Sequence, residues 1–286
     1  MKRLRLTICL AVVCVMAAVN FASADTIRGI SMDFVTIGNA GNAADTQVMW
    51  DGTTGYGAVS SNYRIGKYEV TAAQWQTINT AAGIGNPGTW SGNQPVASSI
   101  SWYHAAQFCN YLTSGNKYSG AYQFDQIGNF LGIDRAASIS TYGTTYVIPT
   151  EDEWYKAAYF KPNASGYSLY ANGTNTAPIA GVQSNYLNVI GAPWDITNGT
   201  QEQNGTFDMM GNVGEWNETL FYGYSRGIRG GSYSYGGISY IWSSDRSSFD
   251  PYYGVDDVGF RVASVPEPAT LFLLTLGGLI LRKRKA

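Results

Sequence analysis

The sequence of residues 205 to 216 is GTFDMMGNVGEW, and this short stretch combines a pliable backbone with two acids. Its three glycines permit backbone conformations that other residues avoid, so the segment can curl tightly. Asp208 and Glu215 place carboxylate oxygens towards its two ends. A curled loop of this kind can hold a hard divalent cation through side-chain and carbonyl oxygens. A plainer interpretation is that Asp208 makes a turn and Glu215 pairs with an arginine.

The composition around this stretch is typical of a loop-rich, extracellular protein. The 286 residues include 34 glycines and 21 tyrosines, and 13% are charged, against about a quarter in an average protein. Residues 25 to 264 carry 11 lysines and arginines and 19 aspartates and glutamates, a net charge of −8, because the basic residues concentrate in the two ends. An acidic body without a basic patch argues against nucleic acid as a partner and suits divalent cations better.

The two ends of the chain have the features of targeting segments. MKRLR, LTICLAVVCVMAAVNF and ASA form a basic start, an apolar run and a small-residue cleavage site, which predicts a signal peptide over residues 1–24. At the other end VPEP precedes the apolar run ATLFLLTLGGLIL and the basic RKRK. This run is shorter than the about 20 residues of a spanning helix, but its basic end is typical of a stop signal. We therefore expect a sorting or anchor segment over residues 265–286, with transient membrane contact, and a body over residues 25–264.

Cysteine and histidine are too few for most metal and nucleophilic sites. Once the signal peptide is removed Cys109 is the single cysteine, which excludes an intrachain disulfide. Its neighbours on one helical face are Trp102, Ala105, Ala106 and Leu112. This face predicts a small buried apolar residue rather than a reactive thiol. His104, the single histidine, lies on another face, so zinc sites and Ser-His-Asp triads are poorly supported.

Local patterns predict short elements separated by much loop. Strands are predicted at residues 32–38, 63–70, 144–148, 228–233 and 259–264. Helices are predicted to begin after Thr71, Ser101 and Thr150, and Glu153 completes a capping box with Thr150. The polar segment 161–206 is predicted to be surface loop. No linker or repeat divides the body, so one domain is expected.

Seven motifs in a fixed order carry a resemblance to a known family. They are MDFVTIG, YRIGKYEVTAAQW, QPVASSISWYHAAQFCNYL, VIPTEDEWYKAAYF, GTFDMMGNVGEW, IRGGSYSY and DVGFRVAS, spread over residues 30 to 264. In this order they resemble the formylglycine-generating enzyme family, also called the sulfatase-modifying factor family. The resemblance implies an irregular, loop-rich α+β fold related to C-type lectins, with bound calcium.

The carboxyl-terminal tail carries a second resemblance. VPEP, the short apolar run and RKRK are similar to the PEP-CTERM sorting signal of Gram-negative bacteria, which an exosortase reads and cuts. The resemblance implies export and a place in the cell envelope, at the cell surface or in the extracellular matrix.

The family resemblance also implies where calcium would bind. The first site would use the side chains of Asp208 and Glu215 and the carbonyls of Gly211 and Val213. The second would use Asn185, the carbonyl of Tyr186 and Asp195. The metal would have a structural role, because a loop such as 161–206 buries too little apolar surface to offset an ordering entropy of about 1–2 kcal/mol per residue. A cation that binds only the folded form shifts that balance by mass action.

The catalytic members of the family carry their chemistry where this chain differs. In those members two cysteines on the segment corresponding to residues 229–240 bind copper(I) and oxidise a substrate cysteine to formylglycine in sulfatases. Tyr235 and Tyr240 stand at those two positions. Phenols do not replace the soft thiolates that select copper(I), so copper is not expected and catalysis is not favoured.

The aromatic residues that follow Gly231 then predict a binding groove. Its stacking surfaces would be Tyr233, Tyr235, Tyr240 and Trp242, with Asp245 and Arg246 for hydrogen bonds. An equally supported interpretation is that these aromatics fill the core from one face of a strand. The sequence therefore predicts an exported, calcium-stabilised, non-catalytic module that binds envelope polysaccharide or protein or has a structural role. The alternative is a formylglycine-generating oxidase or another enzyme on the same scaffold.

Overall fold

Short strands and short helices alternate along the residues that the computed structural model describes, 23–86, 90–97 and 99–265. In chain order they are β1 (Ser23–Ile27), β2 (Ile30–Ile37), β3 (Tyr63–Gly66), α1 (Ala72–Ala82), α2 (Trp102–Ser114), β4 (Tyr122–Phe124), β5 (Phe130–Ile133), α3 (Arg135–Tyr142), β6 (Thr145–Val147), α4 (Glu151–Tyr159), β7 (Gly214–Phe221), β8 (Ser225–Arg229), a 3-10 helix (Ile238–Ile241), β9 (Ser247–Phe249), β10 (Val258–Gly259) and β11 (Ala263–Val265). Between α4 and β7 the chain has isolated bridges but no regular element, as predicted for the polar loop.

Three sheets organise the strands. The largest has the order β1-β2-β3-β11-β6, so the last strand of the described chain lies between strands from its first and middle parts. A second sheet has the order β10-β7-β8-β9, in which β7 and β8 form a hairpin, and β4 pairs with β5 alone. The aromatic and aliphatic core between these layers and the helices includes Trp75, Trp102, Trp154 and Trp216, all fully buried. Each indole N–H donates a hydrogen bond, which removes the cost of burying that group.

The helix starts are set by local side-chain bonds. Thr71, Ser101 and Thr150 each accept a hydrogen bond from the backbone N–H three residues ahead, and the third residue bonds back to complete a capping box. These three predicted starts are confirmed. On α2, the predicted face around Cys109 is buried in the core.

Replacement of Thr71 by alanine is expected to lower the free energy of unfolding by about 1 kcal/mol, because the Gln74 N–H loses its capping oxygen. Urea denaturation measures the change. Thr77→Ala is the matched control on the same helix, since the exposed Thr77 hydroxyl bonds only to the Ala73 carbonyl within α1. An equal loss in both variants would contradict the capping role.

Three predicted strands are shorter than expected. The strand predicted at 228–233 ends at Arg229, because Gly230 and Gly231 take left-handed conformations with φ of 98° and 68°. The strand predicted at 259–264 is divided into β10 and β11. The strand predicted at 63–70 ends at Gly66, although Val70 N still donates to Phe260 O at 2.9 Å.

The predicted targeting segments lie largely outside the described residues, which include only Ser23 and Ala24 of the signal peptide and Val265 of the tail. Within the described ranges, no helix combines the length and apolar character that crossing a bilayer requires.

Candidate functional site

The loop that carries GTFDMMGNVGEW packs directly against the segment around Asn185. Asn212 N donates to Asn185 O at 2.8 Å. Gly211 has φ of 82°, and a Cβ built on it would lie 2.3 Å from the same carbonyl oxygen. Only glycine permits this close approach. The structure thus brings together the two segments that the sequence predicts to bind calcium.

Two side-chain oxygens in this contact are buried without a hydrogen-bond partner. Asp208 Oδ1 accepts from Trp194 Nε1 at 3.0 Å, but Asp208 Oδ2 has no partner. Asn185 Nδ2 donates to Ala192 O at 2.9 Å, whereas Asn185 Oδ1 has none. A buried acceptor left unpaired costs about 1–3 kcal/mol, so both atoms have capacity for a further ligand. Hard oxygen donors of this kind fit calcium.

Glu215 is fully engaged by protein groups. Its carboxylate accepts from Arg261 through both oxygens, with Arg261 Nε at 2.6 Å, and from Trp154 Nε1 at 2.6 Å. Both members of this ion pair are completely buried. The sequence analysis gave pairing with an arginine as the alternative to a calcium role for Glu215, and the structure contains this ion pair. A calcium role for Glu215 would require the cation to share these oxygens with Arg261.

The remaining predicted ligands have mixed surroundings. Tyr186 is buried, and its hydroxyl donates to Pro178 O at 2.6 Å. Asp195 accepts from Thr197 N and Thr197 Oγ1 in its own turn, at 3.1 and 2.8 Å. Within the described residues no three His, Cys, Asp or Glu side chains converge as a metal site, so a cation here would depend on amide and carbonyl oxygens beside Asp208. The assignment stays a prediction.

Two further buried acids, which the sequence did not single out, surround this region. Glu69 accepts from Asn212 Nδ2 at 2.6 Å and from Val213 N at 3.1 Å. Burial raises the pKa of Glu69 well above its usual range, and the nearby Asp208 and Glu215 raise it further. Burial likewise raises the pKa of Asp208 well above its usual range and that of Glu202 to about 7. Arg261 opposes all three shifts. The region therefore favours additional positive charge.

The two tyrosines that the sequence predicts at the family's cysteine positions contact each other after the glycine turn. The ring centroids of Tyr235 and Tyr240 are 4.7 Å apart. Tyr240 is 43% exposed, while Tyr235 is half-buried, and its burial together with nearby Asp257 raises its pKa to about 12. Tyr235 is thus neutral at ordinary pH, and the exposed Tyr240 ring presents an aromatic surface to solvent. Neither hydroxyl offers a soft metal ligand.

The other aromatics predicted for the groove point to different neighbours. Tyr233 contacts Trp90, with ring centroids 6.3 Å apart. Trp242 lies 6.4 Å from the exposed Trp50 and donates through Nε1 to Tyr170 OH at 2.8 Å. The four predicted residues therefore lie in three separate ring pairs, and none of them belongs to a strand.

Asp245 and Arg246, predicted as hydrogen-bonding groups of the groove, are held by other residues. The carbonyl of Asp245 accepts from Arg229 Nη1 at 2.6 Å, and burial raises the pKa of the Asp245 carboxyl to about 6. Arg246 donates to both oxygens of Glu151, at 2.9 and 2.6 Å, and to Asp51 at 2.6 Å. The Arg246 guanidinium thus links α4, through Glu151, to the loop that carries Asp51.

The single cysteine and histidine of the body have structural positions. Cys109 is fully buried, and burial raises the pKa of its thiol well above its usual range. His104 Nδ1 accepts from Ser101 N at 3.3 Å in the capping box, and burial lowers its pKa. The thiol therefore lies away from the tyrosine pair's segment, in the core.

The structure contains cavities that no sequence pattern predicted. One of about 510 Å³ is bounded by the loop of residues 39–46 together with Phe160 and Tyr167. Another of about 400 Å³ lies beside the β7–β8 hairpin. Their walls combine residues far apart in the chain, so no local signal could have revealed them.

The family assignment follows from a match over most of the chain. The family model described as sulfatase-modifying factor enzyme 1-like domain matches residues 38–265. The chain belongs to this sulfatase-modifying factor family. A PEP-CTERM protein-sorting motif matches residues 264–285, which confirms the predicted sorting tail. The motif indicates export and surface sorting in Gram-negative bacteria and implies exosortase-type processing.

Solved structures share the fold of this family member. Treponema denticola variable protein 1 is 24% identical with a TM-score of 0.65, and the match covers 86% of this chain and 99% of that one. PvdO from Pseudomonas aeruginosa is 15% identical with a TM-score of 0.57, over 82% and 94%. CarF is 21% identical with a TM-score of 0.56, over 83% and 99%. These likenesses confirm the predicted irregular α+β fold and show the fold alone.

A curated relative matches over part of its length. The chaperone protein LppX of Paenibacillus barcinonensis is 27% identical over 177 residues, which is 54% of this chain and 61% of that protein. This chain therefore spans less than two thirds of that relative.

Proposed function

We propose that this family member is an exported, calcium-stabilised and non-catalytic module that binds a ligand of the cell envelope or has a structural role there. The observation that carries the proposal is the contact between Tyr235 and Tyr240, which stand where the catalytic members have their copper-binding cysteines. Without two thiolates the site lacks the ligands that select copper(I). The buried Cys109 does not replace them.

The calcium part of the proposal rests on the contact between the two predicted segments. Asp208 Oδ2 and Asn185 Oδ1 are buried acceptors without partners, and the pKa values of the neighbouring Glu69 and Glu202 are raised, so a cation bound beside these carboxyls would favour their ionised form. The sequence predicts two sets of ligands: the first is Asp208, Glu215 and the carbonyls of Gly211 and Val213, and the second is Asn185, the carbonyl of Tyr186 and Asp195. A bound cation would neutralise charge and fix the long loop between α4 and β7.

Calcium is therefore expected to raise the melting temperature of the full chain, and EDTA to lower it. At a free calcium concentration 100 times Kd, binding adds about 2.7 kcal/mol to the free energy of unfolding. For a domain of this size that corresponds to about 5–10 °C. Thermal scans with calcium and with EDTA, together with metal analysis by mass spectrometry, measure the effect.

The variant Asp208→Asn is expected to lose most of the calcium-dependent rise, because an amide cannot give a bound cation the anionic oxygen that the carboxylate can. Asp125→Asn, in the turn between β4 and β5, is the matched control and is expected to keep it. An identical calcium response in both variants would contradict the assigned site. Stoichiometric copper, with oxidation of a sulfatase-derived cysteine peptide, would instead support the alternative that this chain is an oxidase.

A further inference from the structure

The cavity beside the β7–β8 hairpin has a markedly aromatic wall. It measures about 400 Å³, and its aromatic lining residues are Tyr103, Phe130, Tyr224 and Tyr252. Arg226 and Asp250 add one charge of each sign. None of the residues predicted for the tyrosine groove lines this cavity. It is a separate place on the molecule.

Arg226 is buried in this wall with its hydrogen-bonding capacity largely unused. Its exposed fraction is 8%, and Nη1 donates to Glu218 O at 2.7 Å. The guanidinium carbon lies 4.1 Å from the Trp102 ring centroid and 5.6 Å from that of Phe130. A guanidinium has five N–H donors, so one backbone contact leaves most of them for a partner in the cavity.

Arg226 also differs from four other buried or partly buried arginines in making no salt bridge to a carboxylate. Across the ranges that the structure describes, Arg135, Arg229, Arg246 and Arg261 each form an ion pair with an acid, and Arg226 does not. The nearest acid in sequence, Glu218, is taken by Arg135 at 3.0 Å and Tyr122 at 2.5 Å. The Glu218 carboxylate still favours the charge of Arg226 electrostatically, but it makes no salt bridge with the guanidinium, so N–H donors that line the cavity stay available to a ligand. A carboxylate entering the cavity would supply charge-assisted hydrogen bonds.

The rim of the cavity has the chemistry that binds sugar rings. Tyr224 and Tyr252 are 68% and 72% exposed, and the Tyr252 ring lies 4.8 Å from that of Tyr103. Such rings offer apolar faces for stacking and hydroxyls for hydrogen bonds. Asp250 Oδ1 accepts from Tyr252 N at 2.9 Å, which fixes this wall. Because Asp250 adds negative charge, the site suits a ligand with a single carboxylate better than a dense polyanion.

We propose that this cavity binds a uronic acid unit of an acidic polysaccharide, with the carboxylate on Arg226 and the pyranose ring against the tyrosines. The proposal rests on the binding role proposed above and names the substrate class. Arg226 supplies the charge recognition, and Tyr252 with Tyr224 supplies the stacking surface.

The test is calorimetric titration of the full chain, at fixed calcium concentration, with trigalacturonate, its trimethyl ester and free galacturonate. Trigalacturonate is expected to bind. The ester is expected to bind at least about 10-fold more weakly, because it cannot form the charged hydrogen bonds. Equal binding of acid and ester would overturn the role of Arg226. Free galacturonate that binds as tightly as the trimer would overturn the assignment to a polysaccharide chain.

Amino-acid substitutions distinguish a specific loss of binding at this site from a general loss of structure. Arg226→Met and Tyr252→Ala are each expected to weaken trigalacturonate binding at least about 10-fold. Tyr222→Ala is the matched control, because Tyr222 is 77% exposed in the same hairpin and does not line the cavity. Since Arg226 is buried, Tyr252→Ala keeps the test valid if the arginine variant does not fold. Equal affinity in the Tyr252 and Tyr222 variants would overturn the site.

Two further outcomes distinguish the possible failures. Binding of a peptide through its free carboxyl terminus, without uronate binding, would overturn the sugar assignment. Absence of binding to any of these probes, in a protein that still shows calcium-dependent melting, would overturn this site while leaving the calcium part of the proposed function intact. Copper-dependent peptide oxidation would overturn the proposed function independently of the titration.

Discussion

Replacement of Arg261 by methionine is expected to lower the free energy of unfolding by about 3–5 kcal/mol, because it leaves the Glu215 carboxylate buried without its cation. Arg261 and Glu215 are both fully buried. The same guanidinium donates to Gly66 O and Phe207 O, each at 3.0 Å. One side chain therefore connects the end of β3, the Asp208 loop and β7. Urea denaturation with linear extrapolation measures the loss.

The control for this variant is Arg64→Met, which removes a partly exposed ion pair with Asp25 and is expected to cost about 1 kcal/mol or less. The double variant Arg261→Met with Glu215→Gln is expected to be more stable than Arg261→Met alone, because it removes the uncompensated charge. A loss below about 1 kcal/mol in Arg261→Met would contradict the central role of this pair and would indicate that another cation balances Glu215.

Replacement of Gly211 by alanine is expected to lower the free energy of unfolding by about 2–5 kcal/mol. The left-handed conformation costs an alanine about 1–2 kcal/mol, and forcing a methyl group into a packed contact adds about 1–3 kcal/mol. The added carbon would meet Asn185 O at 2.3 Å and Ser184 Oγ at 2.9 Å. Because these atoms belong to the second predicted calcium segment, the variant is also expected to lose the calcium-dependent rise in melting temperature.

Gly223→Ala separates the cost of the left-handed backbone conformation from the cost of the steric contact. Gly223 has φ of 80°, but nothing lies within 4 Å of a Cβ built there. Its replacement is therefore expected to cost only the conformational term, about 1–2 kcal/mol. Thermal or urea denaturation of both variants measures the difference. Equal losses would show that the approach of Gly211 to Asn185 is not tightly packed.

The parts of the fold that could be predicted are those determined by neighbouring residues. The starts of α1, α2 and α4 follow from a hydroxyl and the residue three positions on, so the information lies within one helical turn. The long loop after α4 follows from its polar composition. In contrast, α3, which begins at Arg135 after the capping Asp134, and β7, whose sequence GEWNETLF does not alternate apolar and polar residues, were not predicted.

In the candidate site, too, the sequence predicted a local motif but not the side chains that reach it from distant parts of the chain. The GTFDMMGNVGEW loop was expected to bind calcium because of the family resemblance, whereas its contact with the segment around Asn185 was not predicted. The side chains that hold the loop in place were not predicted. They are Arg261, Trp194 and Glu69, whose hydrogen bonds to the loop join residues up to 144 positions apart in the sequence. Likewise Arg226 has nothing unusual in its local sequence, and it becomes distinctive only through its place in the wall of the cavity, where it forms no salt bridge.

The position of β11 in the largest sheet has a consequence for biogenesis. Its residues pair antiparallel with β3 on one side and with β6 on the other, although about 200 and about 115 residues separate these strands in the chain. The sheet cannot close until the last described strand has been synthesised and exported, so this sheet is expected to finish folding only after residue 265 has been translocated. The sorting motif begins within this strand, at residue 264. A factor that binds the tail is therefore connected directly to a strand that has a partner strand on each side.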